Sequence, residues 1–440
     1  MRRSPLRASA GRYGWFILVL LLCTSVPSPG SGQPNPERSP PTGALGSGSR
    51  AATVAKVSWP DIIRAVDQHP RIAAQAFQID AARGAVGAAG AVPNPSVDAT
   101  VGRGDARAGD ESRTEWGLEL SLPLGWLAQR RPKIEAAEAE ASVTVAESGV
   151  LRRDVILELR TLFWTLAYDQ ARVAALEDLG GQTADLVRSI KRRVETGEVR
   201  PSEATRIEIE LERVTSDLEA ARSSLHARQA QLKLWFAGAN NQELVIEADI
   251  ASVPSTLDLD TALAEARSRH PSIEAARARV RALTAAVDVE KMARLPSVAI
   301  KGFTIDELDR RAVGGGLAVD VPLWNWNAGR IAQAKAQLEA GRKRLEYEAR
   351  EIESSIIEAQ GACLAASHTA VRYMDRILPR SEAAASTMER TYQLGEASLL
   401  EVIDARRVLV ETRRQYLAAL LQSQLDCSRL NALAGKDESL

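Results

Sequence analysis

Apolar residues in this chain change their period in a fixed order, and the order is run through twice. Ile62, Ile63, Val66, Ile72, Ala73 and Ala76 recur at helical spacing behind Ser58, a residue suited to capping, and predict a helix to about Ala91. Pro93 and Pro95 end it, because neither can continue an intrahelical hydrogen-bond ladder. The period then becomes two. Val97, Ala99 and Val101 alternate with Ser96, Asp98 and Thr100, and Trp116, Leu118, Leu120 and Leu122 alternate with Glu115, Gly117, Glu119 and Ser121. This predicts strands over 96–103 and 113–122, with the polar run 104–111 as the tip between them. From Pro132, favourable at a first helical turn, helical composition runs to Thr196, roughly 100 Å of helix. Gly197 can stop it with a left-handed cap, and Pro201 can open a returning helix to about Phe236.

The second half repeats the pattern about 200 residues on. His69-Pro70 returns as His270-Pro271, Pro95-Ser96-Val97 as Pro296-Ser297-Val298, Ser121-Leu122-Pro123-Leu124 as Asp320-Val321-Pro322-Leu323, and Thr196-Gly197-Glu198 as Leu394-Gly395-Glu396. A repeat this long is a duplicated half, not a solenoid unit. It predicts strands over 297–305 and 313–322, then helices from Ala328 to Leu394 and from Ser398 to Leu433. The expected units are 57–240 and 258–435, joined by a strap over 241–257 in which Leu244-Val245-Ile246-Glu247 can form a short strand, with a tail at 436–440. The fold class is therefore mainly α with a small β part. Helices of this length need a coiled-coil-like partner surface.

The strand pairs carry one apolar and one polar face over eight to ten residues, the signature of a membrane barrel strand and equally of a hairpin on a soluble core. Three features favour the barrel. Residues 1–30 read as an export signal, basic to Arg12 and then apolar from Trp15 to Leu22, a run too short to span a bilayer. No later apolar run is long enough for a membrane helix. Tryptophans mark the strand ends, Trp116 at one and Trp126, Trp324 and Trp326 at the other, as amphipathic rings do at headgroup level. Four strands cannot close a barrel alone, so copies must associate to remove the edges.

Composition narrows the alternatives. Aromatics are 4% and net charge is -1, which gives no basic face for nucleic acid. Leu22 before Cys23 is not the small residue a lipoprotein signal wants, so cleavage near Gly30 is favoured over lipidation of Cys23. Residues 31–56 are rich in Pro, Gly and Ser and read as a flexible linker. His69, His226, His270 and His368 have no His or Cys at ligand spacing, and His69 and His270 precede prolines as helix-end residues do. Gly314-Gly315-Gly316 lies in a strand and reads as close packing, not a phosphate loop. No nucleophile pairs with a base, so no enzyme, metal or cofactor site is expected.

Ala91-Val92-Pro93-Asn94-Pro95, Val321-Pro322-Leu323 and above all residues 392–402, Tyr-Gln-Leu-Gly-Glu-Ala-Ser-Leu-Leu-Glu-Val, resemble the TolC family of outer-membrane efflux channels over about residues 57–435. The Asn-Pro motif and Gln129-Arg130-Arg131 are similar to its heavy-metal branch. The resemblance implies a homotrimer whose twelve strands form one outer-membrane barrel on a periplasmic helical barrel. It also implies work with a periplasmic adaptor and an inner-membrane pump, as a passive exit duct for metal cations or small toxic compounds. By position it places Tyr392, Glu401, Asp404 and Glu203 at a constriction of the periplasmic mouth, while Ala397 replaces the basic residue of the family's inter-helix latch. Simpler roles stand beside these. Ser398-Leu399-Leu400-Glu401 is a capping box, Glu203 suits a first helical turn, and Tyr392 suits a buried ring. Asp404 lies too far from the helix start for either account. A type I protein-secretion duct would use the same architecture, and a periplasmic coiled-coil adaptor or scaffold is the reading from another class. Cys363 lies as far before Gly395 as Cys427 lies beyond it, so antiparallel helices bring the two to one height, either as a disulfide permitted by an oxidising compartment or as two buried thiols.

Overall fold

The computed structural model describes residues 53–105, 112–236 and 242–436. The signal, Cys23, most of the linker, the loop tip at 106–111 and residues 437–440 lie outside them. The first half holds β1 (Thr53–Val57), α1 (Trp59–Val66), α2 (Pro70–Ala89), β2 (Ser96–Asp105), β3 (Ser112–Pro123), α3 (Trp126–Glu195) and α4 (Pro201–Lys233). After β4 (Gln242–Ile246) the second half holds α5 (Leu259–Arg269), α6 (Pro271–Met292), β5 (Ser297–Asp306), β6 (Arg311–Asp320), α7 (Ala328–Arg372), a π-helical turn (Tyr373–Ile377), α8 (Leu378–Gln393) and α9 (Leu399–Leu433).

The two halves are joined by their sheets. β2, β3, β5 and β6 form one antiparallel sheet in that order, so a strand pair from each half meets at the β3–β5 seam and β2 and β6 are left as edges. Its register puts Val97, Val101, Trp116, Leu118, Leu120 and Leu122 in the same rows as Ile300, Leu317 and Val319, hence on one face. All nine are more than a third exposed in the single chain. The opposite face carries Asp98, Glu119, Lys301 and Asp320, with Lys301 paired to Glu119. At Gly314 a Cβ would stand 2.6 Å from Phe303 Cζ, so a larger residue there would have to displace that ring.

Four boundaries differ most from the expectations. The first helix is two, because His69 has extended backbone and caps α2, whose first residue is Pro70. The linker gives up its last residues to β1, which pairs in parallel with β4 nearly two hundred residues away. α3 begins at Trp126 rather than Pro132, so that proline sits inside the helix. The helix expected from Ala328 to Leu394 is broken at the π turn: Pro379 has no N–H to give the carbonyl of residue 375, and Leu378 N–H reaches back to Tyr373 instead.

The main core lies around β1 and β4, where Trp59, Ile62 and Val66 pack on Val155, Leu159, Phe163 and Leu166 of α3. The buried Arg160 stacks its guanidinium on Trp59, 4.7 Å from the ring centre. A second core joins α5 and α6 to α7 and α9, and in it Cys363 and Cys427 form a disulfide, with Cα atoms 4.7 Å apart.

Candidate functional site

Both long hairpins turn at glycines with positive φ, Gly197 at 79° and Gly395 at 81°. Each turn is closed by the same hydrogen bonds, Gly197 N–H to Val194 O with Glu198 N–H to Arg193 O, and Gly395 N–H to Tyr392 O with Glu396 N–H to Thr391 O. The turns share one small core. Val187, Ile190 and Ile207 of the first hairpin pack with Tyr392, Leu399, Val402 and Ile403 of the second. The duplicated sequence thus places two equivalent ends side by side.

Tyr392 is buried there at 8% exposure, and Arg193 of the other hairpin lies over its ring, 5.3 Å from the centre. Burial raises its phenol pKa; the nearby Glu203 charge raises it further, and Arg193 opposes both. Glu401 serves as the cap. Its Oε2 accepts from Ser398 N–H at 2.7 Å and from Ser398 Oγ at 2.8 Å, while Glu401 N–H donates to Ser398 Oγ at 3.4 Å. These bonds hold its carboxyl below the usual carboxylate range, so it stays charged. Asp404, in the second turn of α9, is exposed.

The sequence did not reveal how the hairpins are tied above their turns. Arg407 of α9 grips Glu210 of α4, Nη2 to Oε2 at 2.6 Å and Nε to both oxygens at 3.2 Å. Arg406 bonds Glu389 of α8 at 2.5 Å and the Gln182 carbonyl of α3 at 3.4 Å. Arg413 joins Asp178 of α3 at 3.2 Å to Glu382 of α8 at 3.0 Å. The Arg407 hydrogen bond lowers the Glu210 pKa against the opposing effect of burial, with Arg213 also lowering it. Where Ala397 leaves the turn without a cation, these three arginines connect the hairpins about two to four turns higher. The signal for them was faint: Arg406 and Arg413 lie two turns apart on one face, but their acids are distant in sequence.

At the other end, Trp116 is 45% exposed, Trp324 92% and Trp326 53%, while Trp126 opens α3 half-buried. His69 and His270 are N-caps, accepting from Arg71 N–H and Ser272 N–H. No group of His, Cys, Asp and Glu suited to a metal occurs among the described residues.

The chain matches the outer membrane efflux protein family model over residues 62–237 and 262–436, one copy for each half. It is 25% identical over 370 residues to the cobalt-zinc-cadmium resistance protein CzcC of Cupriavidus metallidurans, covering 83% of this chain and 86% of that protein. Its fold is similar to the outer-membrane channel OprN, with a TM-score of 0.71 at 18% identity over 86% of this chain and 89% of that one. It is similar as well to CusC, with a TM-score of 0.71 at 15% identity over 91% of this chain and 99% of that one. The chain belongs to the outer membrane efflux protein family. It is an efflux channel protein of the outer membrane, and the periplasmic scaffold reading falls, since both halves match the channel family including their strands.

Proposed function

From that membership we propose that three copies of the chain close one duct, the exit of a tripartite exporter that also contains a periplasmic adaptor and an inner-membrane pump, and that its cargo is divalent metal cations. The observation that carries the closure is the sheet. It has two unpaired edges, β2 and β6, and an apolar face open to its surroundings, which supports closure with further copies; with three, the wall has twelve strands. Phe77, 74% exposed on a helix with no buried residue, likewise calls for a neighbour. Metal cargo is supported by the likeness to CzcC and by the acids of the mouth. The proposal gives the chain no catalysis: a duct guides and excludes.

In this reading Glu401 and Asp404, repeated in each copy, set six carboxylates round one axis near the hairpin turns, with Glu203 and Tyr392 behind them. Such a ring attracts cations and repels anions. The test has two arms. In cells lacking the chain, its return should restore tolerance to cobalt, zinc or cadmium. In planar bilayers, the purified protein should prefer cations, and Asp404→Asn should reduce that preference most at low salt, where screening is weakest. Unaltered tolerance to all three metals would overturn the cargo. Unaltered selectivity in Asp404→Asn would remove Asp404 from the constriction.

A further inference from the structure

The chain leaves its sheet twice toward the helices, through residues 124–134 after β3 and 321–337 after β6. These two stretches hold Arg130, Arg131, Lys133, Arg330 and Lys335 and no acid at all, in a chain of slightly negative net charge. They also expose Leu127, Val321, Leu323, Trp324 and Trp326. Arg294 joins them from just beyond α6, donating from Nε to the Trp326 carbonyl at 3.1 Å.

This charge is little used within the chain. The Arg131 side chain is 89% exposed although it touches Glu135 at 2.8 Å. Arg130 donates from Nε to the Gly90 carbonyl at 2.9 Å and is otherwise exposed. Lys133, Arg330 and Lys335 are exposed and form no ion pair among the described residues. Arg330, in the first turn of α7, also opposes that helix's dipole. α3 and α7, like α2 and α8, have no acid in the first turn, whereas α1, α4, α5, α6 and α9 place Asp61, Glu203, Asp260, Glu274 and Glu401 there. An arrangement unfavourable to the isolated helix suits an external anion.

We propose that this belt binds the phosphate headgroups of anionic phospholipids in the periplasmic leaflet of the outer membrane. The occupant follows from position and charge together. Both stretches follow directly on strands of the apolar-faced sheet, β3 and β6, and within each the exposed tryptophans or leucines stand a few residues from the cations, as the acyl and headgroup layers of a leaflet lie side by side. The proposal rests on the outer-membrane placement of the sheet and is independent of the cargo.

The test is lipid retention. Full-length protein purified in detergent is mixed with micelles holding equal phosphatidylglycerol and phosphatidylcholine of the same acyl chains, and the lipids that stay with the assembled protein are counted by mass spectrometry. Phosphatidylglycerol should be enriched about tenfold, since cations add at an anionic surface. Raising sodium chloride to about 0.5 M should remove most of that enrichment. Arg130→Gln/Arg131→Gln/Lys133→Gln/Arg330→Gln should bring it to about one, while Arg103→Gln/Arg310→Gln at the opposite end of the sheet should leave it intact. Glycerol 3-phosphate in excess should not compete, because it lacks the chains that hold the headgroup at the belt. Equal retention of both lipids by the unaltered protein would overturn the proposal, whatever the variants do. So would full competition by the soluble phosphate, or undiminished enrichment in an assembled quadruple variant.

Discussion

The two long hairpins descend from one duplicated sequence and end in the same glycine turn, yet they are built differently above it. The first is a single 70-residue helix answered by α4, with its one internal proline, Pro132, near the sheet. The second has Pro379 in mid-course, and the helix widens there into a π turn. It is also fastened on either side of that joint. The disulfide ties α7 to α9 above it, and Arg406 and Arg413 tie α9 to α8 and α3 below it. Its return helix has a capping box, where Arg200 at the first turn gives no side-chain cap. One hairpin has no π turn and is weakly capped. The other is jointed, capped and cross-linked, and Arg406, Arg407 and Arg413 fasten it to the first.

Removing the covalent tie should have the largest effect on that contrast. The Cys363–Cys427 bond closes a loop with a sequence separation of 64, and in the chain-entropy account its loss costs about 4 kcal/mol. Cys363→Ser/Cys427→Ser should lower the denaturant midpoint and make it insensitive to reductant. An unchanged midpoint would show that the second core holds the hairpin unaided.

The paired histidines give the next largest difference. His270 is 1% exposed, and its pKa is lowered to about 4 by burial first and by Arg153 second, against Asp154. Its unfolded value is 6.5, so between 6.5 and about 4 the unfolded chain binds the extra proton. Stability should therefore fall as pH drops through that window, by at most about 3 kcal/mol. His270→Asn can still cap the helix and should flatten the slope. His69, less buried and stacked on Trp235 at 3.9 Å, should change it less when replaced by Asn. Equal slopes in both variants would contradict the assignment.

The caps give the smallest effect. Ser398→Ala should destabilise by about 1 kcal/mol. Arg200→Ser, with Glu203 already at the third helical position, should stabilise by several tenths of that and narrow the difference between the hairpins. Thermal unfolding of the two variants measures both. The Glu401 share of the cap should vanish as pH falls below 4.5, through its lowered folded pKa, because a protonated carboxyl accepts poorly from Ser398.

Features set by a few adjacent residues were legible in advance. Gly197, Gly395, the Ser398–Glu401 box and the four-strand pattern needed only local chemistry and the period of the apolar positions. Partners far apart in sequence were not. β1 is five residues long and has meaning only beside β4, so its composition read as linker. The arginine ties of α9 depend on acids in α3, α4 and α8 that no spacing rule connects to them. Pro379 was legible in principle, since an interior proline must widen or break a helix; it was outweighed by strong helical composition on both sides. At the hairpin turns, Tyr392 as a buried ring and Glu401 as a cap followed from local pattern, whereas the packing of Arg193 over Tyr392 needed the two turns to meet.

The central claim is that the four-stranded sheet is one third of a closed wall whose apolar face meets lipid. Leu118 and Asp98 lie at nearly the same height on opposite faces, Leu118 opposite Ala99 and Asp98 opposite Glu119. A cation on the lipid face at mid-depth costs about 2–4 kcal/mol per copy, whereas one beside Glu119 on the polar face costs little. The measurement is the amount of detergent-extracted trimer recovered from the membrane fraction for each variant. Leu118→Arg should nearly abolish it and Asp98→Arg should leave it close to the unaltered level. Equal recovery of trimer from both, or recovery of the unaltered chain only as a monomer, would contradict the account.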